Sequence, residues 1–250
     1  MTTHPPENQS PAFAETWRRS SLLIALLLGT PLAHSQSACS SDGRPAPTAL
    51  LERFINADCE ACWRDPATPM APPSALALDW IAPGSQGEDA PLAPAANRDA
   101  LMRLAELNQA QPKAQSSQIS AVSGWPGATL RVAHGPAVSG YLGASIELTL
   151  PPGTVMTAPL QAWLVMVETL PQGLEDSPVS RNLVRNVLQP SWPLREALQN
   201  AEHLSYKELR PLNIPPGAKH ERLRVVGWVQ DASGRVAMAA ETACPPEDKD

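Results

Sequence analysis

Basic residues are too few in this chain to outweigh its acids. Nineteen Lys and Arg stand against 25 Asp and Glu over 250 residues, a net charge of −6. A nucleic-acid binder needs a basic face, so the balance argues against that class. No apolar run approaches the roughly 18–20 residues that a membrane span requires. Aromatic residues make up only 4% of the chain, with two Tyr and two Phe beside seven Trp. There is no G-x-S-x-G, no P-loop and no H-E-x-x-H, which removes the commonest signatures of serine hydrolases, nucleotide hydrolases and zinc proteases. No fixed-period repeat is present either, which excludes a solenoid or a propeller.

Proline, by contrast, is abundant. The 28 prolines are twice the usual share of about 5%. The length allows one or two domains of ordinary size.

The N-terminal residues read in the order basic, apolar, small. Arg18 and Arg19 precede Leu22 to Leu28, and Ala33-His34-Ser35 supplies small residues at the −3 and −1 positions of a cleavage site. That order predicts a secretory signal peptide over residues 1–35 and a periplasmic or secreted mature chain. Two rival readings use the same region. Gln36-Ser37-Ala38-Cys39 is a lipoprotein-type box with Gln36 where an aliphatic residue belongs, and Arg18-Arg19 is a twin-arginine pair in an ill-fitting context.

Four cysteines follow the leader: Cys39, Cys59, Cys62 and Cys244. An even number in an oxidising compartment suggests two disulfides, with three possible pairings. Cys59-Glu60-Ala61-Cys62 is close enough to join across one helical turn. Cys39 and Cys244 then remain to form a structural bridge between the two ends of the mature chain. Chain-entropy arguments give a bridge over so long a loop about 4–5 kcal/mol.

Patterning divides the rest. Residues 36–47 are small, polar and Pro-rich and read as a linker. Ala49 to Ile55 and Ala75 to Ile81 read as buried strands, and Pro83 to Pro94 as a loop. Asn97 is placed to cap a helix carrying Leu101, Leu104 and Ala105 on one face, running to about Gln109. From residue 116 helical periodicity gives way to alternation. Strands are expected over Thr129 to His134, Ser145 to Leu150, Leu160 to Leu170, Asn182 to Leu188, Leu223 to Val229 and Val236 to Ala240. Asp231-Ala232-Ser233-Gly234 is a hairpin turn. The expected architecture is α+β: a reduced thioredoxin-like α/β unit over 48–115 and an antiparallel β-sandwich-like domain over 116–244, with a tail from 245 to 250.

The C-x-x-C is the one chemical group that stands out. A strand, a C-x-x-C and a helix in succession are the layout of thioredoxin-type redox sites. A first cysteine at a helix N-terminus has its thiolate stabilised by the dipole and free N–H groups, and the second attacks the mixed disulfide. Cys59 would be the nucleophile and Cys62 the resolving thiol, with a protein thiol or disulfide as partner. The competing reading is a purely structural disulfide in a non-enzymatic binding or structural protein. Pro66 cuts the helix short, and Asp58 and Glu60 raise the pKa of the intervening thiol. No cofactor and no metal is expected, because His134, His203 and His220 are not at ligand spacing from the pair. Asp79 is read as solvating a strand end, with proton uptake near the dithiol as the alternative. Trp63, Trp125, Trp163, Trp192 and Trp228 are read as packing residues.

Taken in order, Ala49-Leu50-Leu51-Glu52-Arg53-Phe54, the C-x-x-C at Cys59 and Cys62, and Leu76-Ala77-Leu78-Asp79-Trp80 form a pattern. It resembles the opening of the bacterial secreted thioredoxin-like proteins of unknown function. Arg181-Asn182-Leu183-Val184-Arg185-Asn186-Val187 and Arg224-Val225-Val226-Gly227-Trp228-Val229-Gln230-Asp231 are similar as well. The resemblance implies a thioredoxin-like fold, an extracytoplasmic location and a site consisting of Cys59 and Cys62.

Overall fold

A computed structural model of the chain describes residues 39–194 and 203–245. The expected signal peptide, the lipoprotein-type box before Cys39 and the tail beyond 245 lie outside the described residues. Among the described residues, twelve strands and two α-helices follow one another. They are β1 (Cys39–Ser40), β2 (Ala49–Asn56), α1 (Glu60–Trp63), β3 (Ala75–Ala82), α2 (Asp99–Glu106), β4 (Gln115–Ala121) and β5 (Thr129–Val138). Then come β6 (Tyr141–Leu150), β7 (Leu160–Leu170), β8 (Arg181–Leu188), β9 (Ser191–Trp192), β10 (Leu204–Asn213), β11 (Leu223–Gln230) and β12 (Val236–Glu241).

The strands form two sheets. The smaller has the order β1-β5-β6-β10, and the larger β12-β11-β7-β8-β3-β2-β4, with β9 paired to β7. Strand composition explains these positions. In β7, Trp163, Leu164, Val165, Met166 and Val167 are all fully buried. A strand apolar on both faces belongs inside a sheet with both faces covered. β4, with the sequence QSSQISA, has no buried residue and lies at an edge. β2 and β3 run parallel, β3 meets β8 in parallel at Asp79 and Leu183, and the other pairings are antiparallel.

Each face of the large sheet has its own cover. Leu160, Leu164 and Met166 of β7 and Val225 and Val229 of β11 pack against Val132, Ile146 and Leu148 of the small sheet. This makes the sandwich-like half. A Cβ at Gly227 would lie 2.6 Å from Val132 Cγ1 and 2.9 Å from Ile146 Cδ1, so a side chain there would push the sheets apart. On the opposite face, Trp163, Val165, Trp228, Trp80 and Phe54 are capped by Ala100 and Leu104 of α2. Arg103 of the same helix is fully buried, 5.0 Å from the Trp163 ring centre and 5.3 Å from that of Trp228. Its Nε and Nη2 donate to the two oxygens of Glu52, both at 2.7 Å, and its Nη1 donates to Gln230. A buried guanidinium needs such a set of acceptors.

The expected α/β unit is corrected by this arrangement. Residues 48–115 contribute β2, β3 and the first residue of β4 to the large sheet but only two short α-helices, of four and eight residues. The protein is mostly β, and there is no thioredoxin-like α/β unit. The cause is local. After Trp63 the chain carries Pro66, Pro69, Pro72 and Pro73, none of which can donate in a helix interior. Several sequence expectations stand with adjusted ends. β7 has the expected bounds, the 231–234 turn joins β11 and β12, and α2 begins where Asn97 Oδ1 accepts the Asp99 N–H at 2.9 Å.

Candidate functional site

Both disulfides are formed, Cys39 with Cys244 and Cys59 with Cys62. The C-x-x-C grows out of the sheet. β2 is held between β3 and β4, so its C-terminal end is fixed and the following residues leave it in a set direction. Asn56 fixes the exit. Its Oδ1 accepts the Asp58 N–H at 2.9 Å, and its Nδ2 donates to Pro112 O. Cys59 N then donates to Asn56 O, and Cys62 N to Cys59 O at 3.1 Å, which makes the single turn of α1 with Cys59 at its N-cap.

The two cysteines are not equivalent in burial. Cys62 is buried at 7% exposure, whereas Cys59 is half-buried and is followed by the exposed Glu60 and Ala61. The Asp58 carboxylate accepts from Ser85 N and Oγ, both at 2.7 Å, and from Gln86 N at 3.2 Å. The Ser85 hydroxyl, with the two backbone N–H groups, holds the Asp58 pKa below the usual carboxylate range. A Cβ at Gly84 would overlap Asp58 Oδ1, so the loop passes this carboxylate only with glycine there.

Beneath the turn lies a network that sequence reasoning missed. Asp79, at the middle of β3, is fully buried. Its Oδ1 accepts from Arg181 Nη1 at 2.8 Å, and its Oδ2 from Arg53 Nη2 at 2.8 Å and from Asn182 N at 3.0 Å. It does not solvate a strand end: it lies buried in mid-strand with both oxygens accepting hydrogen bonds from protein donors. Arg181 carries the connection onward. Its Nη2 donates to Trp63 O at 2.8 Å, its Nε to Ser177 Oγ, and its guanidinium stacks 4.4 Å from the Trp63 ring centre. Burial lowers the Arg181 pKa, against the pull of Asp79. Arg53 Nη1 donates to Pro69 O and Nη2 to Ser180 O. Trp63 Nε1 donates to Glu175 O at 2.7 Å. Two arginines and one aspartate thus clamp the segments on either side of the dithiol. The available signal was a charged residue inside each buried strand run, Arg53 in β2 and Asp79 in β3.

Beside α1 is a cavity of about 270 Å³ whose wall includes Glu60, Trp63, Arg64, Leu92, Pro94 and Arg185. His134 lies beside the Cys39–Cys244 disulfide, within 4.8 Å of both its sulfurs.

No protein-family model matches this chain, and no curated protein matches it. Among solved structures, it is similar to HBP35 of Porphyromonas gingivalis, with a TM-score of 0.49 and 9% identity over 82% of this chain and 79% of that one. Likeness at that level fixes neither fold nor activity. No helix among the described residues is long and apolar enough to cross a membrane.

Proposed function

We propose that the protein is an exported thiol–disulfide exchange protein acting through Cys59 and Cys62 on protein dithiols. The observation that carries this reading is the unequal burial of the two cysteines, Cys62 buried and Cys59 half-buried. A thiolate of the partner attacks Cys59 Sγ, forming a mixed disulfide and releasing Cys62 as thiolate. The partner's second thiolate then attacks its own sulfur in that bond and releases Cys59. The partner leaves as a disulfide, and its two protons end on Cys59 and Cys62. Two disulfides in one chain, together with the basic-apolar-small leader, support export to an oxidising compartment.

The reading is tested with the single variants Cys62→Ser and Cys59→Ser, each treated with glutathione disulfide. The Cys59 thiol of the first variant should form its glutathione adduct at least about tenfold faster than the Cys62 thiol of the second, because access and thiolate fraction set the rate. Equal and slow reaction would overturn the proposal.

A second reading, a structural bridge, rests on the brevity of α1. Its four residues carry little dipole to stabilise a thiolate, and Asp58 and Glu60 flank Cys59. On that reading the pair simply closes the end of β2.

A further inference from the structure

The second disulfide sits beside an unused ligand. In the β1–β5 ladder Cys39 lies directly opposite His134. On the other side, Ser40 bridges Ala243 through reciprocal bonds, Ser40 N to Ala243 O at 3.1 Å and Ala243 N to Ser40 O at 2.9 Å. Cys244 follows at once. Three neighbouring backbones therefore hold His134, Cys39 and Cys244 in one row, with one ligand atom from each within 4.8 Å of the others.

His134 is only 6% exposed. Its Nδ1 lies 2.9 Å from Gly135 O. A carbonyl can only accept, so Nδ1 carries the ring proton and Nε2 keeps a bare lone pair. That Nε2 is buried and has no hydrogen-bond partner among the described residues. A buried acceptor without a donor calls for an explanation. The tautomer is the one a metal-bound histidine adopts, with its other nitrogen donating to a carbonyl.

We propose that reduction of Cys39–Cys244 turns this row into a zinc site, with the two thiolates and His134 Nε2 as ligands. A dithiol reductant breaks the S–S bond and leaves as a disulfide, giving two thiols on the protein. Zn²⁺ then displaces both thiol protons to solvent. The two thiolates cancel the charge of the ion, which suits a buried place. Zinc bonds of about 2.3 Å to sulfur and about 2.0–2.1 Å to nitrogen put tetrahedral ligands about 3.6–3.8 Å apart, inside the present spread. Two sulfurs and an imidazole select a borderline-soft ion over Ca²⁺ or Mg²⁺. The fourth position faces a cavity of about 660 Å³, onto which His220 and Glu221 open. The ladder bonds do not depend on the S–S bond, so they keep the ligands together once it is cut.

The test uses the full chain carrying Cys59→Ser and Cys62→Ser, so that only one dithiol remains. It is reduced with a phosphine and dialysed against Zn²⁺ alone. One zinc per chain is expected on the reduced protein and none on the oxidised one. Co²⁺ in place of Zn²⁺ should show sulfur-to-cobalt charge transfer. Adding His134→Ala should weaken binding by at least about tenfold, since even outer-shell partners are worth about 10–100-fold. Absence of zinc on the reduced protein, equal binding to the oxidised one, or affinity indifferent to His134→Ala would each overturn the proposal. So would loss of the β circular-dichroism signal on reduction, because the ladder would then not hold the ligands.

Discussion

Replacing Asp79 by Asn keeps the shape of the side chain and removes its charge. Asp79 is fully buried and is the common acceptor of two guanidiniums that are themselves 3% and 1% exposed. In Asp79→Asn one carboxylate oxygen becomes an NH₂ group facing an N–H donor, and two buried cations lose their anion. Breaking a buried pair by removing one partner costs about 3–5 kcal/mol, because the remaining charge is uncompensated. Against a total of about 5–15 kcal/mol for a domain, that is a large share. The loss should appear as a lower midpoint in urea unfolding followed by tryptophan fluorescence. It should also be localised. Arg181 holds Trp63 O and Arg53 holds Pro69 O, so amide exchange should rise first over residues 60–70. A loss below about 1 kcal/mol, or exchange unchanged over that segment, would refute the claim that this network clamps the dithiol turn.

Further outcomes follow from other contacts. Arg103→Met should cost about 3–5 kcal/mol in the same assay by stranding Glu52, and adding Glu52→Gln should restore much of it. Gly227→Ala should cost about 1–3 kcal/mol, read as a lowered Tm, because its Cβ meets Val132 and Ile146 across the sandwich. Burial raises the pKa of Glu241, against the pull of Arg44 and Arg224. The folded state therefore keeps this proton to higher pH than the unfolded state, and stability falls as pH rises from the ordinary value of about 4.3 through the raised one. Glu241→Gln should remove that fall in urea titrations run across the window.

Strands buried on both faces were plain in the sequence. β3 and β7 are apolar almost throughout, and the apolar run of β2 is interrupted by Glu52 and Arg53 and ends at Asn56. β4 and β10 went unread because they lie at sheet edges. β4 buries nothing, and β10 buries only Leu204, Tyr206 and Leu212, so neither carries a sustained apolar rhythm. The α/β expectation failed at α1. A strand followed by a C-x-x-C does imply a helix, but its length is set by what comes next. Here four prolines and the hold of Arg181 on Trp63 O stop it after one turn. Cysteine arithmetic did find the pairing, since a three-residue separation leaves one choice for the other two. The charge network was not legible as a network. Arg53, Asp79 and Arg181 are separated by 26 and 102 residues, and only the β2–β3–β8 register brings them together.

The reduction potential of Cys59–Cys62 tests the proposed exchange most directly. The protein would be equilibrated in graded thiol buffers, trapped with an alkylating agent and read by mass spectrometry. A bridge that exchanges with protein dithiols should lie above about −300 mV, in the range of working oxidoreductases. A value at or below about −300 mV would mark a structural disulfide and contradict the account.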